Sequence, residues 1–97
     1  MSPPGKPEPY EVVVPGPVQR AISEKLPEDV AWAVIEFING PLAENPHRVG
    51  GELRGGYLKG IYSAHLGVFR IHYTISEEDR TVTLRRVAHR SDIYGLP

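Results

Sequence analysis

The chain has no cysteine among its 97 residues, so it holds neither a disulfide framework nor a thiolate metal site. It also lacks any uninterrupted apolar run close to the roughly 20 residues that a membrane-spanning helix requires. No segment joins a basic start to an apolar stretch and a cleavage site of small residues, which is the pattern of a secretion signal. We therefore expect a cytoplasmic protein with no membrane partner.

The chain also carries little net charge. Its 11 lysines and arginines nearly balance 12 aspartates and glutamates, which leaves a formal charge of -1. Proteins that hold a nucleic-acid backbone along their length are usually clearly basic, so this composition disfavours a general nucleic-acid-binding protein. Basic residues nevertheless gather near the end of the chain, at Arg70, Arg85, Arg86, His89 and Arg90. Local charge would have to attract any RNA.

The length predicts one domain with one modest core and no separate cofactor domain. Residues 1–9 contain four prolines and almost nothing apolar, so we expect a flexible tail there. Residues 10–97 would then form the single domain.

Two helices are predicted in the first half. After the turn signal at 15–17, apolar residues recur at helical spacing at Val18, Ala21, Ile22 and Leu26. Pro27 ends that helix and suits the first turn of a second, which has an apolar stripe at Val30, Ala33, Val34, Phe37 and Ile38. We expect Asn39-Gly40-Pro41 to end the second helix, so that the two form a hairpin.

β-branched and aromatic residues predict four strands, one short strand at 10–14 and three more at about 57–64, 68–76 and 80–87. Short links between the last three favour antiparallel hairpins. The middle strand has an apolar face for the helices and a polar, outward face with Arg70, His72 and Thr74. The predicted fold class is α+β, with an N-terminal strand, a helical hairpin and a three-stranded antiparallel meander.

The end of the chain contains the residue types that RNA cleavage without a metal needs. That chemistry requires a base for the ribose 2′-hydroxyl, cations for the phosphorane charge, and an acid or charge stabiliser for the departing 5′-oxygen. Arg70 and Arg90 carry the planar guanidinium that suits a phosphate. His65 and His89 belong to the residue type that exchanges protons near neutral pH, and Tyr94 could donate a proton or stack on a base.

Each of these residues also has a simpler interpretation. An outward arginine such as Arg70 is most often solvated or ion-paired, His72 on the polar face most often packs across strands, and Tyr94 could anchor the chain end. The four histidines show no compact ligand spacing, so we expect no metal site and no cofactor. No Gly-Lys-Ser/Thr follows the glycine pairs at 50–51 and 55–56, which we interpret as turns.

Six short motifs between about Tyr10 and Tyr94 resemble the RelE/ParE toxin superfamily, and in particular its RelE-like branch. They are Gly40-Pro41-Leu42, Asn45-Pro46-His47-Arg48, Leu53-Arg54, Gly60-Ile61-Tyr62-Ser63-Ala64-His65, Gly67-Val68-Phe69-Arg70-Ile71-His72-Tyr73 and His89-Arg90-Ser91-Asp92-Ile93-Tyr94. Together with the predicted order of elements, they are more specific than any of them is alone.

The resemblance implies a type II toxin that enters the ribosomal A site, cuts mRNA there without a metal ion and inhibits translation. It implies a cognate antitoxin, RelB-like or another, and contact with operator DNA only through that antitoxin. By position, Arg70 matches the family arginine in the central strand, Arg90 the arginine after the last strand and Tyr94 the terminal tyrosine. We take these three as catalytic residues, with His65 or His89 assisting proton transfer.

The chain departs from the family pattern on the strand before Arg70. The best studied members of the family carry lysines or arginines there, whereas this chain has Ile61, Ser63 and His65. A thinner basic cluster leaves a second hypothesis open. The chain would then be a non-cleaving protein, either a ParE-like gyrase inhibitor or a decayed toxin kept for antitoxin binding and autoregulation.

Overall fold

The computed structural model describes residues 8–93, in which two helices pack on one face of a five-stranded sheet. The elements in chain order are β1 (Glu11–Val13), α1 (Gly16–Lys25), α2 (Glu28–Phe37), β2 (Gly51–Glu52), β3 (Tyr62–Leu66), β4 (Phe69–Ser76) and β5 (Thr81–His89). This arrangement confirms the predicted α+β class, with its N-terminal strand, helical hairpin and meander. Residues 1–7 of the predicted tail lie outside the described part of the chain.

The two helices begin and bury their apolar residues as the sequence predicts. Pro15 and Pro27 precede α1 and α2 and fix an extended entry into each helix. Two acidic residues, Glu28 and Asp29, lie in the first turn of α2, where negative charge is favourable at the positive end of the helix dipole. Val34, at the centre of the predicted stripe, is completely buried against the sheet.

The predicted end of the second helix is wrong, because Asn39-Gly40-Pro41 does not stop the helical path. Residues Ile38–Leu42 continue it as a π-helical turn with Pro41 inside. In an α-helix the ring of Pro41 would clash with the carbonyl group four residues earlier, and a wider turn relieves that clash. The extra turn buries Ile38 and Leu42 in the core.

The sheet order is β1-β5-β4-β3-β2, and β3, β4 and β5 form the predicted antiparallel meander. β1 adds to one edge, parallel to β5. The other edge differs from the prediction, since Gly51–Glu52 in the expected glycine-rich connection pairs with β3 as β2. The first meander strand also starts at Tyr62 rather than at 57, because Gly56–Leu58 forms a 3₁₀ turn.

The two faces of the sheet differ in character. Ala64, Ile71 and Tyr73 point toward the helices and belong to the core. The opposite side, which we call the outer face, holds the alternate residues that pair across β3, β4 and β5, namely Ser63, His65, Arg70, His72, Arg86 and Ala88. Within residues 8–93 no helix is long and apolar enough to cross a membrane.

A bulge in β5 changes which of its residues reach the core. His72 pairs with Arg86 and the next residue, Tyr73, pairs with Leu84, so Arg85 is an extra residue on β5. Leu84 and Val87 are consequently both buried, although simple alternation would place them on opposite faces.

Candidate active site on the outer face

His65 and Arg70 lie opposite each other at one end of the outer face. They are Cα partners in the antiparallel pairing of β3 and β4, so their side chains leave the sheet on the same side. His65 is exposed and Arg70 is half-buried. A short turn with a left-handed Gly67 joins the two strands just beyond this pair. The structure therefore brings together one cation and one proton-exchanging group. The sequence placed His65 in the link after a strand ending at about residue 64, whereas β3 runs on to Leu66 and includes His65.

The guanidinium group of Arg70 is held by the backbone of that turn. Its Nη1 donates to the carbonyl oxygens of Gly67 and Phe69, each at 3.0 Å. Both acceptors are neutral, and no carboxylate forms an ion pair with Arg70 within residues 8–93. The arginine is thus fixed in position while its positive charge stays available to an anion.

Arg90 lies at the same end of the sheet, one residue beyond β5. Its backbone N–H donates to the carbonyl oxygen of Val68 at 2.7 Å, in the turn between β3 and β4. Its side chain is exposed. The backbone bond fixes the start of the Arg90 side chain beside the turn that also holds Arg70.

His89 lies on the other face of the sheet from His65 and Arg70. It pairs with Phe69, and the two rings contact edge to face with centroids 5.6 Å apart. The backbone N–H of Ser91 donates to its Nδ1 at 3.1 Å. Its side chain points toward the helices because the bulge at Arg85 shifts the alternation of β5. The fifth predicted residue, Tyr94, lies outside the described residues.

His72 is on the outer face, as the sequence predicts, but it is only 5% exposed. Burial lowers the pKa of its imidazole, and the nearby charge of Arg86 lowers it further. The neutral form therefore dominates at neutral pH. His72 does not supply the positive charge that a phosphate needs.

Arg48 and Ser63 were not predicted from the sequence as site residues. Both line a cleft of about 380 Å³ beside His65, together with Val49, Gly50 and Gly51. Arg48 is exposed and Ser63 is buried. Arg48 belongs to one of the six sequence motifs, but only the pairing of β2 with β3 brings its loop beside the outer face.

A family model described as the ParE toxin of the type II toxin-antitoxin system, parDE, matches residues 20–94. The chain belongs to this family. It is 40% identical to Toxin RelE of Mycobacterium tuberculosis over 88 residues, which cover 91% of this chain and 89% of that protein. Toxin RelG of the same organism is 47% identical over 70 residues, or 72% of this chain and 79% of that protein.

A solved structure supports the same assignment. The toxin-antitoxin complex RelBE2 from Mycobacterium tuberculosis contains a chain that matches with a TM-score of 0.78 and 41% identity, covering 84% of this chain and 99% of that chain. The predicted membership of the RelE/ParE superfamily is confirmed, and the protein is a toxin of a type II toxin-antitoxin system.

The toxin has a second group of polar aromatic and charged side chains at the opposite end of the sheet. This group, which we call the paired cluster, consists of Tyr10, His47, Tyr62, Glu77 and Arg80. The Tyr10 hydroxyl donates to both carboxylate oxygens of Glu77, at 2.7 and 2.9 Å, and His47 Nε2 contacts the same carboxylate. Arg80 stacks on the Tyr10 ring at 4.0 Å. Here His47 faces a carboxylate and Arg80 faces an aromatic ring, both within the protein.

The pKa values in the paired cluster follow from these bonds. Hydrogen bonds from His47 and then from Tyr10 lower the pKa of the Glu77 carboxyl. The same carboxylate raises the pKa of the Tyr10 hydroxyl. Within the described part of the toxin, no group of three or more histidine, aspartate or glutamate side chains is placed to hold a metal ion.

Proposed function

We propose that the toxin is a ribosome-dependent mRNA endonuclease that inhibits translation in the cytoplasm and cuts RNA at the outer face of its sheet. The observation that carries the proposal is the pairing of His65 with Arg70 at the turn that also receives the backbone of Arg90. One proton-exchanging group lies opposite the cation Arg70 there, the backbone of a second cation, Arg90, is bonded to the same turn, and neither arginine has a carboxylate partner within residues 8–93. The similarity to Toxin RelE supports the same reaction.

The chemistry proceeds through attack of a ribose 2′-oxygen on the adjacent phosphorus. His65 takes the proton of the 2′-hydroxyl as the O2′–P bond forms. Arg70 and Arg90 stabilise the negative charge that develops on the phosphorane oxygens. The P–O5′ bond then breaks, and the 5′-oxygen takes a proton from solvent. The products are a 2′,3′-cyclic phosphate and a 5′-hydroxyl.

The other two residues predicted from the sequence, His89 and Tyr94, have no part in the proton transfer proposed here. His89 faces the helices and contacts Phe69, so we assign proton transfer to His65 alone. Tyr94 follows the last described residue, Ile93, and keeps its proposed role of orienting a nucleotide at the site. The proposal does not depend on a contact made by Tyr94.

Primer extension on mRNA from a reconstituted translation reaction tests the proposal. Wild-type toxin should produce cuts inside A-site codons, and these should disappear with the double variant Arg70→Ala/Arg90→Ala. Circular dichroism of both proteins should show the same folded state, because neither arginine is in the core. An intact message with unimpaired translation in the presence of wild-type toxin would instead favour a decayed toxin.

Gyrase inhibition is the second candidate function, because the matching family is described as the ParE toxin. The absence of lysines and arginines on β3, from Tyr62 to Leu66, also suits a toxin that does not hold RNA. Purified gyrase with relaxed plasmid separates the two candidates. Inhibited supercoiling or trapped, linear plasmid would support this second function, and unaffected supercoiling would exclude it.

The toxin also needs a partner that neutralises it, and we propose a RelB-like antitoxin segment in the groove between α1 and β5. β1 pairs only with Thr81–Thr83, so the rest of β5 has no strand neighbour on that side within residues 8–93. Apolar Val18, Ala21 and Phe69 line this groove, with Lys25 and Arg85 also on its lining. An open strand edge with an apolar floor and basic residues suits an extended or helical acidic segment.

Charge reversal on the groove tests this partner surface. Lys25→Glu and Arg85→Glu should weaken neutralisation by the cognate antitoxin and leave translation inhibition by the free toxin unchanged. Arg20→Glu is a matched control, because Arg20 is also an exposed basic residue of α1 but does not line the groove. Equal neutralisation of all three variants would contradict this placement of the antitoxin.

A further inference from the structure

The cleft beside His65 has the composition of a phosphate site. It is lined by Arg48, Val49, Gly50, Gly51, Ser63 and His65. Arg48 is exposed and forms no ion pair or side-chain hydrogen bond with the described residues. A free guanidinium group beside two glycines, which leave the backbone open to close approach, favours a phosphate or another oxyanion.

A buried hydroxyl group in the same cleft has no hydrogen-bond partner among the described residues. Ser63 is 8% exposed, and its Oγ makes no hydrogen bond with the rest of the described protein. An unsatisfied buried hydroxyl costs free energy, which a bound acceptor would recover after rotation of the Ser63 side chain. This observation is independent of Arg48 and also points to an acceptor-rich ligand.

The position of Arg48 is fixed by the core. The hydroxyl of Tyr73 donates to the carbonyl oxygen of Pro46 at 2.6 Å, two residues before Arg48. Burial raises the pKa of Tyr73 to about 12, so this donor keeps its proton under all ordinary conditions. Gly50 then passes so close to Tyr73 that an added Cβ would lie 2.4 Å from the hydroxyl oxygen. The loop that carries Arg48 is therefore anchored at both ends.

The cleft adjoins the candidate active site and shares one residue with it. His65 belongs to both, with Arg70 on its β4 side and the cleft on its β2 side. Neighbouring strands are separated by about 4.8 Å, so an RNA strand that crosses the sheet edge can reach both places at once. Resting on the proposed nuclease function, we infer that Arg48 and Ser63 bind the RNA phosphate next to the one that is cleaved.

This inference assigns to a loop the charge that β3 lacks. Relatives in the superfamily are expected to carry lysines or arginines on the strand before Arg70, where this toxin has Ser63 and His65. Arg48 reaches the same strand from the neighbouring loop, and Ser63 contributes a neutral donor to the same cleft. The basic cluster is then rearranged in space, with its cation supplied by another segment of the chain.

The test uses a short single-stranded RNA with 2′-O-methyl groups, which binds but cannot be cleaved. Its affinity for the full-length toxin is measured by fluorescence anisotropy across a range of salt concentrations. Arg48→Ala should weaken binding roughly tenfold at low salt, because it removes a charged hydrogen bond. It should also reduce the slope of log affinity against log salt by about 0.7, which is the value for one single-stranded phosphate. Arg48→Lys should restore most of the slope.

Ser63→Ala provides a second readout that a purely structural role would not give. The Ser63 hydroxyl makes no hydrogen bond with the described residues, so its removal should not lower the midpoint of thermal unfolding, while RNA affinity should fall roughly two- to tenfold. Arg20→Ala, which removes an exposed arginine from α1, is the matched control and should bind like wild type. Unchanged affinity and salt slope in Arg48→Ala, or no measurable binding by wild type, would overturn the inference.

The outcome is separable from that of the nuclease proposal. Binding that depends on Arg48, without mRNA cleavage by wild type, would leave the phosphate site standing and reject the nuclease. Normal cleavage and normal RNA binding by Arg48→Ala would reject the phosphate site and leave the nuclease proposal standing. Should Arg48→Ala instead lose affinity only for the antitoxin, the cleft would hold a carboxylate of that protein, and the inference would be wrong.

Discussion

The two ends of the sheet contain similar residue types in opposite electrostatic states. In the paired cluster, Glu77 accepts bonds from Tyr10 and His47. At the other end, Arg70 is bonded only to neutral carbonyl groups and Arg90 has no carboxylate partner within residues 8–93. An arginine next to a histidine is therefore not enough to indicate a site. The absence of a carboxylate partner among residues 8–93 is what leaves one of these ends available to an external anion.

The loop between the helices and β2 contributes consecutive residues, His47 and Arg48, to the two ends of the sheet. His47 contacts Glu77 in the paired cluster, and Arg48 lines the cleft beside His65. The bond from Tyr73 to Pro46 positions both side chains at once. The two ends are thus structurally linked through the core, although they differ in charge balance.

Removing an arginine from one end of the sheet or from the other should give the largest expected difference in cleavage rate. Arg70→Ala should lower the rate of A-site cleavage by about 10²–10³-fold, since loss of one transition-state donor has an effect of that size. Arg80→Ala, in the paired cluster, should leave that rate unchanged and lower only stability, because Arg80 contacts the Tyr10 ring. Rates are compared by single-turnover primer extension. A similar loss in both variants would remove the functional distinction between the ends.

Gly50→Ala should disturb the loop that connects the two ends of the sheet. Its Cβ would lie 2.4 Å from the Tyr73 hydroxyl and 2.9 Å from the carbonyl oxygen of Ser63. Such overpacking typically lowers the free energy of unfolding by roughly 1–3 kcal/mol. Gly51→Ala is the matched control, because an added Cβ there meets nothing within 4 Å. Urea unfolding measures the free energy of unfolding of both variants. Equal values would show that the loop accommodates the added methyl group without loss of stability.

Most of the fold follows from sequence periodicity, but its irregular parts do not. Apolar spacing predicts the helical hairpin, and the alternation around Arg70 predicts the meander and its outer face. β2 has only two residues, a glycine and a glutamate, and neither type favours a strand. It forms because β3 offers it an edge. The π-helical turn depends on the core accepting Leu42, which no local pattern reveals.

The candidate site was predictable to the same extent. Alternation along β4 predicts the outward direction of Arg70, but the pairing of His65 with Arg70 was not predicted, because the predicted strand ended at about residue 64 and β3 extends to Leu66. The orientation of His89 does not, because counting from Leu84 would place it on the outer face, and the bulge at Arg85 reverses that. Arg48 also escapes prediction, since its place beside His65 depends on long-range packing around Tyr73.

Burial of His72 on the outer face predicts that the stability of the toxin decreases at acidic pH. Its pKa in the folded state lies below the ordinary value of about 6.5, so the unfolded state binds the extra proton more readily. The contribution of neutral His72 to the free energy of unfolding should be fully present above the ordinary pKa. It should be lost as the pH falls toward the lower pKa of the folded state. Chemical unfolding at several pH values should show a shallower decline for His72→Gln. Ser63→Ala, at a buried neighbour that does not titrate, should keep the wild-type decline.

The smallest expected effect tests whether the paired cluster is paired in solution. Because the pKa of the Glu77 carboxyl is lowered, its contribution to stability is present above about 4.3 and is lost as pH falls through the folded value. Carbon NMR of the Glu77 carboxyl should give a pKa below the ordinary one, and His47→Gln should raise it. His65→Gln, at the far end, should leave it unchanged. An ordinary pKa for Glu77 in the wild type would mean that its carboxylate is free, and the contrast that singles out Arg70 would then lose its basis.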